Sequence, residues 1–91
     1  MSYEERDWNS PRYKAVRLAC FKRDGFKCRF PDCGSRKRIQ AHHIHKWASY
    51  PERRYDLSNL ITLCRNHHDQ IKNKEDEYIP LFCSLIGDAD L

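Results

Sequence analysis

The chain has 91 residues, 33% of them charged and 40% hydrophobic, with a net charge of +4. At that length it holds one domain with a small core, so a staple in the form of a metal or disulfides is expected. No apolar run approaches the roughly 20 residues of a membrane span, and MSYEERDWNS at the start lacks the apolar stretch of a secretory signal. These features exclude a membrane protein and predict a soluble, cytoplasmic one. The five cysteines are an odd number for a disulfide framework, so reduced thiols, some of them metal-bound, are expected.

Charge is unevenly spread. All 17 Lys and Arg fall in residues 1–74, a balance of +9 against the acids there, whereas the tail 75–91 carries five acids and no base. A basic body suits a polyanionic partner, with the acidic tail held off its path, or is simply a solvated charged surface.

Residues 1–9 read as a flexible N-terminus, and 10–91 as a single domain. Ser10-Pro11 marks a helix start, with a capping hydroxyl and proline in the first turn. From Pro11 to about Arg23, Tyr13, Val16 and Cys20 recur at helical spacing, while Arg12, Lys14, Arg17, Lys22 and Arg23 fall largely elsewhere around the axis. Asp24-Gly25 ends the helix in a turn. CRFPDCG is a tight reversal between two cysteines, followed by the basic stretch SRKR and a strand carried by Ile39, Ala41 and Ile44. Residues 46–56 read as a loop, LSNLITLC as a second strand, and RNHHDQIKNKED as a helix. In the tail, Pro80 opens a short helix with Phe82, Leu85 and Ile86 on one side and Gly87 as its stop. This apolar side is expected to pack on the first helix, with docking to another protein as the other option.

Cys28 and Cys33 lie across a turn, and Cys64 and His67 are three residues apart at a helix start. Together they supply the soft sulfur and nitrogen donors of a closed structural Zn²⁺ site, which would clamp the two ends of the segment between them. Cys20 and Cys83 read as buried thiols. The clamped segment contains AHHIHKW, with three of the five histidines.

The ordered set HHI, D-x-x-NL and LC-x-x-HH, with RDGFKC upstream, resembles the HNH endonucleases over roughly residues 17–72. The resemblance implies an α+β fold: a small zinc-stapled ββα-metal (His-Me finger) domain, its core about 36–74, with flanking N- and C-terminal helices. It also implies a metal-dependent DNA endonuclease that hydrolyses phosphodiester bonds to a 5′ phosphate and a 3′ hydroxyl. His43 resembles the general base and His42 and His68 the ligands of a catalytic divalent ion. Asn59 resembles the asparagine that pins the loop orienting the base. An imidazole suits the base role because its ordinary pKa lies near neutral pH. The nitrogen-rich pair suits Mn²⁺, Ni²⁺, Co²⁺ or Zn²⁺ at least as well as Mg²⁺. On a regular strand, however, His42 and His43 point to opposite faces, so one shared site requires the strand to end, twist or bulge there.

Arg36, Lys37, Arg38, Lys46, Arg53 and Arg54 are candidate phosphate contacts, giving affinity without sequence choice. His45 either joins them or is solvated. Asp56 reads as a turn or cap residue, with metal binding the alternative. Trp47 and Tyr50 either stack on a base or pack under the loop. A zinc-stapled DNA-binding module without catalysis is the rival reading, and a subunit of a larger phage DNA-processing machine a third. For such a phage or mobile-element protein the compartment would be the host cytoplasm.

Overall fold

The computed structural model describes residues 10–45 and 53–89. The expected flexible N-terminus, Lys46, Trp47 and Tyr50 lie outside the described residues. The elements in chain order are α1 (Pro11–Arg23), β1 (Ile39–His43), β2 (Leu60–Cys64), α2 (Arg65–Gln70) and α3 (Ile79–Ala89). Single 3₁₀ turns at Leu57–Asn59 and Glu75–Tyr78 lead into β2 and α3.

Helix α1 starts as its sequence dictates: Ser10 Oγ accepts from the amides of Arg12 and Tyr13 at 3.2 and 3.5 Å. It stops where Gly25 takes a φ of 71° and the Phe26 amide reaches back to the Phe21 carbonyl. The Cys28–Cys33 reversal closes in the same way, with Asp32 and Gly34 at φ of 66° and 71°. Glycine and aspartate tolerate that left-handed region better than most residues do.

β1 and β2 pair antiparallel in an unbroken register, from Ile39 opposite Cys64 to His43 opposite Leu60. Directly opposite residues share a face, so Ala41, His43, Leu60 and Thr62 lie on one side and Gln40, His42, Ile61 and Leu63 on the other. The first side receives α1, where Cys20 Sγ meets Thr62 Oγ1 at 3.5 Å and the Tyr13 ring stacks on His43. The second receives α3, and a core of Ile44, Ile61, Leu63, Ile71, Phe82 and Ile86 fills the space between. The outer edge of β2 is taken by the backbone of the Cys28–Cys33 reversal, where the Arg29 amide donates to the Thr62 carbonyl at 2.9 Å. Both faces and both edges are thereby covered, which is why all five residues of β2 are buried.

Four expectations are corrected. Gly87 does not stop the last helix, which runs on to Ala89. The tail packs not on α1 but on the opposite face of the sheet, because Ile61 and Leu63 present an apolar surface there that Phe82 fills. Cys83, next to Phe82 on α3, is therefore turned outward and exposed. α2 is only six residues long and ends at Ile71, whose burial and backbone bonds to His67 and Asp69 close the turn.

Candidate metal centre and active site

The fold brings Cys28, Cys33, Cys64 and His67 together, with all four ligand atoms within 4.8 Å of one another. The separations are 3.9 Å between the sulfurs of Cys33 and Cys64, and 3.6 and 3.4 Å from His67 Nδ1 to the sulfurs of Cys28 and Cys64. Zn–S legs of about 2.3 Å at tetrahedral angles place ligand atoms about 3.8 Å apart, so the four fit a closed four-coordinate metal. The amides of Phe30 and Ser35 each point at a cysteine sulfur at 3.4 Å, and the Phe30 ring lies flat on His67 at 4.2 Å, fixing the ligands from outside. Burial pushes the Cys28 thiol up to about 11. At Cys64 burial also acts upward, but the amides of His67 and Asn66 and the neighbouring thiols outweigh it and lower its pKa. A cation replacing these protons removes the conflict.

His67 turns to this cluster while the next residue, His68, turns to β1, where its ring meets His42 edge-on with centroids 5.5 Å apart. His42 is 7% exposed, packed edge-on against Phe82 at 5.6 Å, and its Nε2 is buried with no hydrogen-bond partner among the described residues. Burial first, then repulsion from His68 and His43, lowers the His42 pKa to about 4, with Glu75 acting the other way. A neutral imidazole with an unmet buried nitrogen, next to a second imidazole, is a donor set that fits a divalent ion.

His43 is on the other face. The strand does not bulge at the dipeptide, so the two histidines diverge as regular pleating requires. The His43 ring stacks on Tyr13 at a 14° interplanar angle, and its Nε2 lies 3.0 Å from the Arg54 carbonyl. Because a carbonyl only accepts, Nε2 carries the hydrogen, which in the neutral ring leaves the lone pair on Nδ1.

Asn59 is 2% exposed and spans the loop between the strands. Its Oδ1 accepts from the His45 amide at 2.8 Å, and its Nδ2 donates to the carbonyls of His45 and Arg53 at 3.1 and 3.2 Å. Asp56 caps the turn that precedes it, accepting from the amide and hydroxyl of Ser58. Arg53 approaches the His45 ring at 3.2 Å. Arg36, Lys37 and Arg38 are exposed on the turn before β1.

The HNH endonuclease family profile matches residues 28–74, just over half of the chain. This chain belongs to the HNH endonuclease family. Neither the curated proteins nor the solved structures gave a match. The small α+β architecture and the Cys/His cluster agree with the ββα-metal fold of HNH proteins, a family that acts on DNA with divalent metals.

One part of the HNH chain goes beyond what the sequence reading assigned. Arg23, expected on the outer charged surface of α1, reaches inward. Asp24, 4% exposed, accepts from Arg23, from Arg29 at 2.7 Å, from the Thr62 amide at 3.0 Å and from the Cys20 thiol. Burial raises the Asp24 pKa, but the Arg23 guanidinium and the Thr62 amide outweigh it, so the carboxyl sits below its usual range. Arg23 also donates to the carbonyls of Leu57 and Leu60, bracketing the turn that carries Asn59, and Arg29 donates to the Leu85 carbonyl of α3. The only signal in the sequence was the RDGFKC motif, which does not reveal where the side chains point.

Proposed function

We propose that this protein is a metal-dependent DNA endonuclease with a structural zinc at Cys28, Cys33, Cys64 and His67. It nicks or cuts duplex DNA with weak intrinsic sequence preference. The observation that carries this reading is the division of labour across β1. On one side stands His43, its tautomer fixed by the Arg54 carbonyl. On the other stands the unpartnered buried Nε2 of His42 beside His68. In-line displacement at phosphorus requires attack and departure on opposite sides. A phosphodiester at the outer edge of β1 would have an imidazole group on each side.

In this mechanism Nδ1 of His43 takes a proton from water as the water oxygen bonds to phosphorus and the bond to the 3′ oxygen breaks. Tyr13 holds the face of the His43 ring, and Asn59 holds the loop that supplies its carbonyl partner through His45 and Arg53. His42 and His68 would hold the divalent ion, which would supply positive charge to the phosphate and to the departing oxygen. With two nitrogen donors the site accepts Mn²⁺, Ni²⁺, Co²⁺ or Zn²⁺ at least as readily as Mg²⁺. Arg36, Lys37, Arg38, His45, Lys46, Arg53 and Arg54 provide the contact surface for DNA. Such a small nuclease fits a phage-type DNA-processing role in the cytoplasm of a host, alone or within a larger complex.

The test is supercoiled-plasmid cleavage with verified zinc content, in EDTA and then with Mg²⁺, Mn²⁺ or Ni²⁺, for the native chain and His43→Ala. Nicking that needs added metal and disappears in the folded variant is the expected result. Gel shifts without cleavage under any metal would instead establish a zinc-stapled DNA-binding module.

A further inference from the structure

Arg23 and Asp24 are neighbours in the chain and both side chains are buried, 11% and 0% exposed. A guanidinium out of water is costly unless its donors find acceptors, and this one does not stop at its counter-ion. Nε and Nη2 clasp the two carboxylate oxygens of Asp24, each at 2.9 Å, in the planar fork that arginine offers. Nη1 then donates to the Leu57 carbonyl at 3.0 Å, and Nη2 also to the Leu60 carbonyl. Asp24 is itself tied to β2 by the Thr62 amide at 3.0 Å, so the fork is aimed from a fixed point on the strand it serves.

Sheet register explains why a side chain can take the Leu60 carbonyl. The Ile44 amide donates to the Asn59 carbonyl at 2.8 Å. Antiparallel pairs alternate between bonded and non-bonded positions, so at the next pair, His43 opposite Leu60, the Leu60 carbonyl points away from β1 to the outer edge. Arg23 meets it there. Asn59 stands between the two carbonyls that Arg23 holds, and its side chain binds the His45 amide and the carbonyls of His45 and Arg53. One residue beyond Arg53 is the Arg54 carbonyl, the acceptor for His43 Nε2. A run of hydrogen bonds and short backbone links thus leads from buried Asp24 to a ring nitrogen of His43. The Tyr13 ring, stacked on the face of His43, touches both ring nitrogens alike and does not choose between tautomers.

We infer that Arg23 is a positioning residue for His43: it sets the Asn59 turn, and through that turn the Arg54 carbonyl that keeps the His43 hydrogen on Nε2 and leaves Nδ1 to accept a proton. This rests on the nuclease reading for its effect on rate, and on the hydrogen bonds alone for its effect on the tautomer. Lysine could not replace arginine here. An ammonium keeps the charge beside Asp24, but its three donors radiate from one point and do not span a carboxylate and two carbonyls. Arg29 supplies the internal contrast. It binds the same carboxylate at 2.7 Å, but its other bond goes to the Leu85 carbonyl of α3, away from the Asn59 turn.

The experiment compares the full zinc-replete chain with Arg23→Lys, Arg29→Lys, Asn59→Ala and Arg23→Lys/Asn59→Ala. Long-range ¹H–¹⁵N NMR at about pH 8, where an imidazole of ordinary pKa is neutral, reports which His43 nitrogen carries the hydrogen. Plasmid nicking with added Mn²⁺ reports kcat and KM. In Arg23→Lys the Nε2–H form should give way to a mixture of tautomers, and kcat should fall about 10- to 100-fold with KM within about twofold of native. Adding Arg23→Lys to Asn59→Ala should cost no further rate, because both act through one turn. Arg29→Lys should lower the melting temperature yet keep the native tautomer and kcat. A native tautomer or a native kcat in folded Arg23→Lys, or an equal loss in Arg29→Lys, overturns the inference. If Arg23→Lys does not fold, Arg23→Gln is read in its place, and failure of both to fold reduces Arg23 to a structural role and overturns it too. Should the native chain never cut DNA while the tautomer responds as expected, the positioning stands and the nuclease reading falls.

Discussion

The two faces of the sheet are held by different forces. On the α3 face the contacts are apolar, with Ile61, Leu63, Ile71, Phe82 and Ile86 in one core and the Phe82 ring packed edge-on against His42. On the α1 face a buried carboxylate, Asp24, gathers two guanidiniums, a thiol and a β2 amide, and Arg23 carries that order to the Asn59 turn. Adjacent histidines on one strand thereby acquire opposite characters. His42 is dried, kept neutral and left with an unmet nitrogen, whereas His43 is half-buried, stacked and hydrogen-bonded in one tautomer. In the proposed mechanism it is the surroundings of a side chain, and not its type, that separate a metal ligand from a base.

The most severe way to break both faces at once is to remove what ties their ends together. Cys64→Ser, or chelation of the structural metal, removes on the order of 10 kcal/mol from so small a domain and should abolish the native circular dichroism. A variant that melts like the native chain without zinc would show that the core suffices. Next comes the α1 face alone. Asp24→Asn leaves two guanidiniums short of a buried counter-charge and should lower stability by about 3–5 kcal/mol in urea unfolding. If the loss stays below about 1 kcal/mol, the cluster does not organise that face.

The comparison between the histidines is sharpened by activity and by pH. His43→Ala should lower metal-dependent nicking by about 10²- to 10⁴-fold while the protein stays folded and keeps its zinc. His42 yields a smaller, thermodynamic signature. Its folded pKa of about 4 lies below the ordinary value of 6.5, so the stability tied to its neutral form is complete above about pH 6.5. That stability is lost as pH falls toward 4. Between pH 7.5 and 5.5 the loss is about 1 kcal/mol, measured by urea unfolding at constant zinc content and without added Mn²⁺ or Mg²⁺. His42→Phe should remove that pH dependence. Smallest of all, Asp69→Asn breaks only an exposed pair with Arg65 and should change stability by less than about 0.5 kcal/mol.

Much of this could be read without coordinates, because local chemistry dictated it. Ser10-Pro11 and Asp24-Gly25 bounded α1 through capping and left-handed turn preferences that act over a few residues. The C-x₄-C and C-x-x-H spacings named all four members of the Cys/His cluster that could hold a metal, since ligand chemistry restricts both residue type and separation. Alternation along a strand likewise required His42 and His43 to diverge, and they do. What the sequence left open depends on which surfaces meet. Gly87 and Cys83 were misplaced because helix length and facing are set by the apolar surface of β2 that α3 covers, and that surface exists only once β1 and β2 have paired. Arg23 looked like a solvated charge because the carbonyls of Leu57 and Leu60 that it bonds lie 34 and 37 residues away along the chain. Residue pattern determined the elements and the ligands. Burial, the inward turn of charge and the separate fates of two neighbouring histidines were decided by long-range packing, which no local spacing encodes.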